Sequence, residues 1–198
     1  MKGKLFVVSG PSGVGKNTIL NRVVAGRENV QYSISATSRA KRPGEIDGKS
    51  YFFVTREQFE AMLQQGELLE YAEYVGNYYG TPLKPIEQAT QAGIDVVMDL
   101  DVVGALKIRK RVENAVLVFV AAPSFDVIRQ RLIHRGDVAP DVMESRLERA
   151  RWECEQAGEY DYIIINDSVE RATQELMAIM TAEKCKTMER IHIVKEEL

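Results

Sequence analysis

Five apolar runs punctuate the chain: Leu5–Ser9, Tyr32–Ala36, Ile94–Leu100, Val116–Ala121 and Tyr162–Asn166. Several are unbroken stretches of Val, Ile and Leu rather than apolar–polar alternations. Such runs predict parallel strands buried on both faces. Helical patterns lie between them, over Lys16–Ala25, Pro85–Ala92, Val103–Arg111, Ser124–His134 and Glu170–Cys185. The alternation predicts an α/β fold of three layers, a parallel central sheet with helices on both sides. Ligands of such sheets gather at the carboxyl ends of the strands.

Two stretches break the rhythm. Residues from about 35 to 82 are rich in Gly, Tyr, Arg and Glu, with short alternating runs at Tyr51–Thr55 and Leu68–Tyr74. They read as a small inserted α+β subdomain with antiparallel strands. The crowded charges from Arg135 to about Arg151 read as a mobile excursion between two helices, within a lid spanning about 126–151. The expected partition is one domain, with a core of residues 1–34, 83–125 and 152–198. Lys186–Leu198 reads as a charged helix end or tail.

Composition narrows the function classes. The 198 residues suit one globular domain, and 45% hydrophobic with 28% charged residues allows a buried core under a wetted surface. A net charge of -3 argues against a general nucleic-acid binder, which would carry a basic excess. Cys154 and Cys185, the two cysteines, have neither metal-type nor disulfide-type spacing. A reducing cytoplasm is therefore the expected home. There is no leader pattern, and no apolar run long enough to span a bilayer, so no membrane association is expected.

The chemistry begins where the first strand ends. Leu5–Ser9 runs into Gly10-Pro11-Ser12-Gly13-Val14-Gly15-Lys16-Asn17-Thr18, and a helix pattern follows. Strand, glycine turn, lysine and helix in this order form a phosphate-binding loop. Its glycines let the backbone approach a polyphosphate, its amides point inward, and the helix adds its positive end. Lys16 supplies a point charge for the outer phosphates. Where the usual signature has a magnesium-binding Ser or Thr after the lysine, Asn17 stands, with Thr18 next.

Three further sets of residues carry a resemblance. One is Ser35-Ala36-Thr37-Ser38-Arg39-Ala40-Lys41-Arg42-Pro43-Gly44-Glu45, followed by Asp47–Val54. Another is Leu69–Tyr74 with Gly76-Asn77-Tyr78-Tyr79-Gly80-Thr81-Pro82. The last joins Asp99–Gly104, the lid stretch and Ile165-Asn166-Asp167. With the phosphate loop, these resemble the guanylate kinase family over nearly the whole chain. The resemblance implies transfer of the terminal phosphate of ATP to GMP, and to dGMP, with magnesium.

Arg39 and Arg42 flank a turn and could hold one phosphate between two guanidiniums. The resemblance implies that they bind the GMP phosphate together with Tyr51 and Tyr79. Guanine presents adjacent N–H donors that one carboxylate can accept in a plane. Glu70 matches the family's guanine-reading carboxylate, with Ser35, Thr81 and Asp101 at neighbouring base contacts. Asp99 ends a strand beside the loop, where such folds place the acidic partner of magnesium, here expected through water, with Thr18 nearby. A helix N-cap is the plainer alternative for either aspartate. Val103 departs from the family, which commonly has glutamine there.

Arg131 and Arg135 are four apart on one helix face that Gly136 ends, and Arg146 begins the next basic run. The resemblance implies that these three close over the ATP phosphates, while Arg129, Arg149 and Arg151 read as surface ion pairs. Asn166 matches a position near the adenine, although it or Asp167 could instead cap the following helix. A non-catalytic guanylate-kinase-like binding module is the reading from another class, and degraded loops and missing lid arginines would mark it. Oligomeric state stays open.

Overall fold

The computed structural model describes residues 2–134 and 140–196. A central sheet holds β1 (Leu5–Ser9), β2 (Val30–Tyr32), β7 (Asp95–Asp99), β8 (Val116–Ala121) and β9 (Tyr162–Ile165), in the order β2-β7-β1-β8-β9. Every ladder in it is parallel. A smaller sheet holds β3 (Ala36–Thr37), β4 (Phe52–Phe53), β5 (Leu68–Tyr74) and β6 (Asn77–Pro82), in the order β4-β3-β6-β5. The helices are α1 (Lys16–Ala25), α2 (Arg56–Gln64), α3 (Leu83–Gln91), α4 (Val102–Arg111), α5 (Phe125–His134), α6 (Pro140–Glu155), α7 (Val169–Lys184) and α8 (Thr187–Glu196), with a short 3-10 turn at Gln156–Glu159.

Strand alternation sorts the core onto two faces. Phe6, Val8, Val97, Val116, Val118 and Val120 pack against α1, α5, α6 and α7 through Ile19, Ile128, Leu147 and Leu176. Leu5, Val7, Val96, Met98 and Leu117 face α3 and α4 through Ile86, Ala105 and Ile108. This is the three-layer α/β arrangement of a P-loop fold. The small sheet has its own core of Ala36, Phe59 and Leu68. At the amino ends of the strands, fully buried Asp95 accepts the Lys4 backbone N–H at 2.9 Å and pairs with Lys184 at 2.8 Å, tying α7 to the sheet.

Four expectations need correction. The predicted strand Tyr32–Ala36 is split: Val30–Tyr32 joins the central sheet and Ala36–Thr37 the small one. The small sheet is mixed, because β3 and β4 run parallel. Helix α2 was not foreseen, although its capping box is complete: Thr55 accepts from the Gln58 backbone, and Gln58 from the Thr55 backbone. From Pro140 onward the expected excursion is the long helix α6, whose Leu147 and Ala150 belong to the core.

Candidate active site

The phosphate loop spans residues 10–15, between β1 and α1. Gly10 has φ 137, and a Cβ there would lie 2.1 Å from the Val120 carbonyl oxygen. Gly15 opens α1 in the left-handed region, and no side chain caps that helix. The first-turn amides of α1 therefore have no side-chain cap, an arrangement suited to an anion. Lys16 folds back, its Nζ donating to the carbonyls of Gly10 at 2.7 Å and Pro11 at 3.4 Å. Asn17 and Thr18 stand exposed on the first turn of α1.

The loop is braced from behind. Asn166, 1% exposed at the end of β9, donates through Nδ2 to the Val14 carbonyl at 2.6 Å. Arg131 on α5 reaches the same carbonyl and that of Asn166, both at 3.2 Å. Neither Asn166 nor Asp167 caps α7; that cap is Ser168, which accepts from the Arg171 backbone. Beside the loop, Asp99 ends β7. Desolvation raises its pKa, and the Lys16 charge opposes that shift. The Tyr32 hydroxyl, bonded to Asn21 at 2.9 Å, is pushed up to about 12, first by burial and then by Asp99.

A second cluster forms on the small sheet. The Arg39 guanidinium lies 5.5 Å from the Tyr51 ring centroid and makes a two-pronged contact with Glu45, at 2.7 and 3.1 Å. The other Glu45 contact is the Arg42 backbone N–H, at 2.8 Å. These bonds, Arg39 first, hold the Glu45 carboxyl below its ordinary range. Tyr51 and Tyr79 meet edge to face at 6.1 Å, and Tyr79 faces Arg39. Arg42 is exposed at the rim. Ser35, half-buried, enters the same sheet through its carbonyl, which accepts from Phe52 at 2.9 Å.

A third cluster lies at the junction of the two sheets. Glu70 on β5 accepts the Thr81 hydroxyl at 2.7 Å, and Thr81 is 1% exposed. Burial raises the Glu70 pKa; the Thr81 bond and Lys107 oppose the shift, while Asp101 adds to it. Asp101 takes the helix-cap alternative, since its Oδ1 accepts the Gly104 amide of α4 at 2.8 Å. Its Oδ2 meets Arg149 of α6 at 3.1 Å.

The structure thus gathers Lys16 with Asp99, Arg39 with Tyr51 and Tyr79, and Glu70 with Thr81 and Asp101. Arg131 lies against the loop, whereas Arg146 is exposed on α6. Arg135 and Gly136 lie outside the described residues. Arg149 does form the expected helix pair, with Glu153 at 3.0 Å, but it also spans to Asp101. Glu45 was overlooked although it closes the Arg39–Arg42 segment. A carboxylate three residues past an arginine in a Pro-Gly turn was the available signal.

Strand, glycine loop, lysine and uncapped helix N-terminus, at the carboxyl end of a parallel strand, define a P-loop kinase fold. The model of the family "Guanylate kinase" matches residues 2–183. A guanylate kinase of Halalkalibacterium halodurans is 48% identical over 93% of this chain and 91% of its own length. One of Desulfitobacterium hafniense is 44% identical over 96% of both. A crystal structure of guanylate kinase from Anaplasma phagocytophilum is 35% identical, with a TM-score of 0.72 over 94% of this chain and 88% of that one. The chain belongs to the guanylate kinase family. It is an enzyme, a nucleotide-binding transferase of the kinase class.

Proposed function

We propose that the three clusters divide the family's reaction into a donor half and an acceptor half. The reaction is transfer of the terminal phosphate of ATP to GMP, giving ADP and GDP, in purine nucleotide metabolism. The loop from Gly10 through Pro11, Ser12, Gly13, Val14 and Gly15 to Lys16, Asn17 and Thr18 holds the ATP phosphates, with Asn166 behind it. Arg39, Arg42, Tyr51 and Tyr79 hold the GMP phosphate. Glu70 reads guanine, with Ser35, Thr81 and Asp101 around the base.

The observation that carries this reading is the Glu70–Thr81 pair. Thr81 donates to one carboxylate oxygen, at 2.7 Å. The carboxylate keeps acceptor capacity for the adjacent donors on the guanine edge. A base lacking them would leave the remaining acceptor capacity of this half-buried carboxylate unmet, which such sites reject by roughly 10⁴ or more. The deoxy nucleotide dGMP carries the same base and is also proposed as a substrate.

Transfer spreads negative charge over the moving oxygens, so fixed cations are the main catalytic need. Lys16, Arg39 and Arg131 supply them, with Arg135 and Arg146 proposed to join. The acceptor is already an anionic phosphate, so the reaction needs no general base. A magnesium ion also fits: Thr18 and Asp99 offer hard oxygen donors at the surface beside the loop. Among the described residues no three acidic, thiol or imidazole groups gather to hold a metal. Thr18 and Asp99, the latter through water, would hold the ion with the phosphates, and the ion would neutralise charge between phosphates.

Residues of about 35–82 are proposed as the GMP-binding unit and about 126–151 as a lid. Among the described residues no helix is long and apolar enough to cross a membrane. A cytoplasmic location is proposed because Cys154 and Cys185 are free thiols. The test is a coupled assay over GMP, dGMP, AMP, CMP and UMP. GMP and dGMP are expected to turn over fastest; faster turnover of AMP would overturn the reading.

A further inference from the structure

Glu70 sits on an irregular strand. Leu68 of β5 pairs with Pro82 of β6, but the next pair is Tyr71 with Gly80. Leu69 and Glu70 together therefore oppose Thr81, which is a β-bulge. Its effect shows in the burial: consecutive Leu68 and Leu69 are both inside, Leu68 in the small-sheet core and Leu69 in the α3–α4 core. The extra residue also re-aims the Glu70 side chain toward Thr81.

A bulge costs ladder bonds, and the carbonyls it turns away need other partners. Helix α4 provides them. Nη1 of Arg111 donates to the Leu69 carbonyl at 2.7 Å and the Leu68 carbonyl at 3.0 Å. One turn earlier, Lys107 Nζ donates to the Tyr71 carbonyl at 3.0 Å. The carbonyls on both sides of Glu70 are thus fastened to one helix by charged donors. Asp101, capping the opposite end of α4, lies close enough to Glu70 to raise its pKa.

We propose that Lys107 and Arg111 are specificity-positioning residues: by clamping the bulge on both sides of Glu70, they set the plane in which its carboxylate meets the base. Neither is assigned contact with the nucleotide. The proposal rests on Glu70 being the base-reading carboxylate. Its signature is a changed base preference together with an intact donor half.

The test compares wild type, Arg111→Met, Arg111→Lys, Lys107→Met and Glu70→Ala, using GMP, inosine monophosphate and AMP as acceptors. Inosine monophosphate keeps the ring N–H of guanine and lacks its amino group. Loss of a charged hydrogen bond is expected to raise KM for GMP about tenfold in Arg111→Met. The GMP-to-inosine-monophosphate preference falls with it, while KM for ATP and kcat at saturating GMP stay within about twofold. Arg111→Lys recovers part of the loss. In a Glu70→Ala background, Arg111→Met has no further effect on base preference.

An unchanged preference in Arg111→Met overturns the proposal. So does an equal loss of kcat and of ATP affinity, the mark of general destabilisation. If Arg111→Met does not fold, Lys107→Met, at an exposed position, decides by the same ratio, with Lys107→Arg as the control that keeps the charge felt by Glu70. If Glu70→Ala itself leaves base preference unchanged, the base-reading role falls, and with it the premise of the clamp. The failing measurement thus separates the two.

Discussion

The phosphate loop and the small sheet are proposed to meet anions, and they would do so by opposite means. The loop is made of backbone: glycines, inward amides and a helix end, mounted on β1, in which all five residues are buried. The small sheet is made of side chains, on a core of only Ala36, Phe59 and Leu68 as fully buried apolar groups. A backbone site is rigid and indifferent to what lies beyond the phosphates. A side-chain site on a light scaffold can discriminate, and its geometry needs further bonds to hold it. Glu45 on Arg39, and the α4 donors around Glu70, are those bonds.

The strongest way to break this contrast is at Lys16. Lys16→Ala is expected to lower kcat by roughly 10³ or more, as loss of a transition-state cation does. GMP affinity, read by calorimetry without ATP, should be unaffected. An equal loss of GMP affinity would show that the two halves are not separate.

Glu70→Gln sharpens the contrast from the other side. An amide N–H would then face a guanine donor, and preference for GMP over AMP should fall by roughly 10² or more. The same change should stabilise the fold. The folded-state pKa of Glu70 is raised, so the native state binds a proton more tightly than the unfolded chain does. Stability is therefore lost as pH rises through the window between the two pKa values, and above both the ionised group costs stability. Thermal midpoints should rise by about 2 °C in Glu70→Gln at neutral pH. The gain should shrink as pH is lowered into the carboxylate range; a gain that persisted there would refute its electrostatic origin. GMP affinity of the wild type should weaken on the acid side at a pH above that of an ordinary carboxylate.

Glu45→Gln tests whether the cradle is held by its own acid. The charged fork on Arg39 is lost, and KM for GMP is expected to rise about tenfold, with kcat little changed. A fall in KM would mean that Glu45 competes with phosphate rather than orienting the arginine. The smallest effect is expected at Val75, which with Gly76 forms the two-residue turn between β5 and β6. Val75 has φ 48, the described residue other than glycine in the left-handed region. Type I′ hairpin turns favour asparagine there over a β-branched side chain. Val75→Asn should raise the midpoint by about 1 °C without changing turnover.

The same contrast explains what could be read in the sequence. β1 and β8 begin and end where their patterns predict, because burial on both faces leaves an unbroken apolar run, and α1 does so because Gly15 and Gly26 bound it. The Tyr32–Ala36 run misled because its ends lie in different sheets, a long-range fact with no local trace. Helix α2 buries only Phe59 fully, so its apolar signal is thin, and its Thr55–Gln58 box was the better cue. The long-range bonds of Arg149, Lys107 and Arg111 leave no local trace, because their acceptors lie 48, 36 and 42 to 43 residues away. The motif letters of the small sheet were legible; the bulge that aims Glu70 was not, since no residue type announces it.

Gly15 gives the loop motif a second meaning. A Cβ at that position would stand 2.6 Å from Asn166 Nδ2, and its φ of +93 is already unfavourable for any other residue. The scaffold alone therefore demands glycine there, with or without nucleotide. A descendant of this chain that had abandoned phosphate transfer would still be held to that letter. Glycines of the loop record the architecture of a lineage, whereas its lysine, arginines and Glu70, in the roles proposed for them, would record its trade.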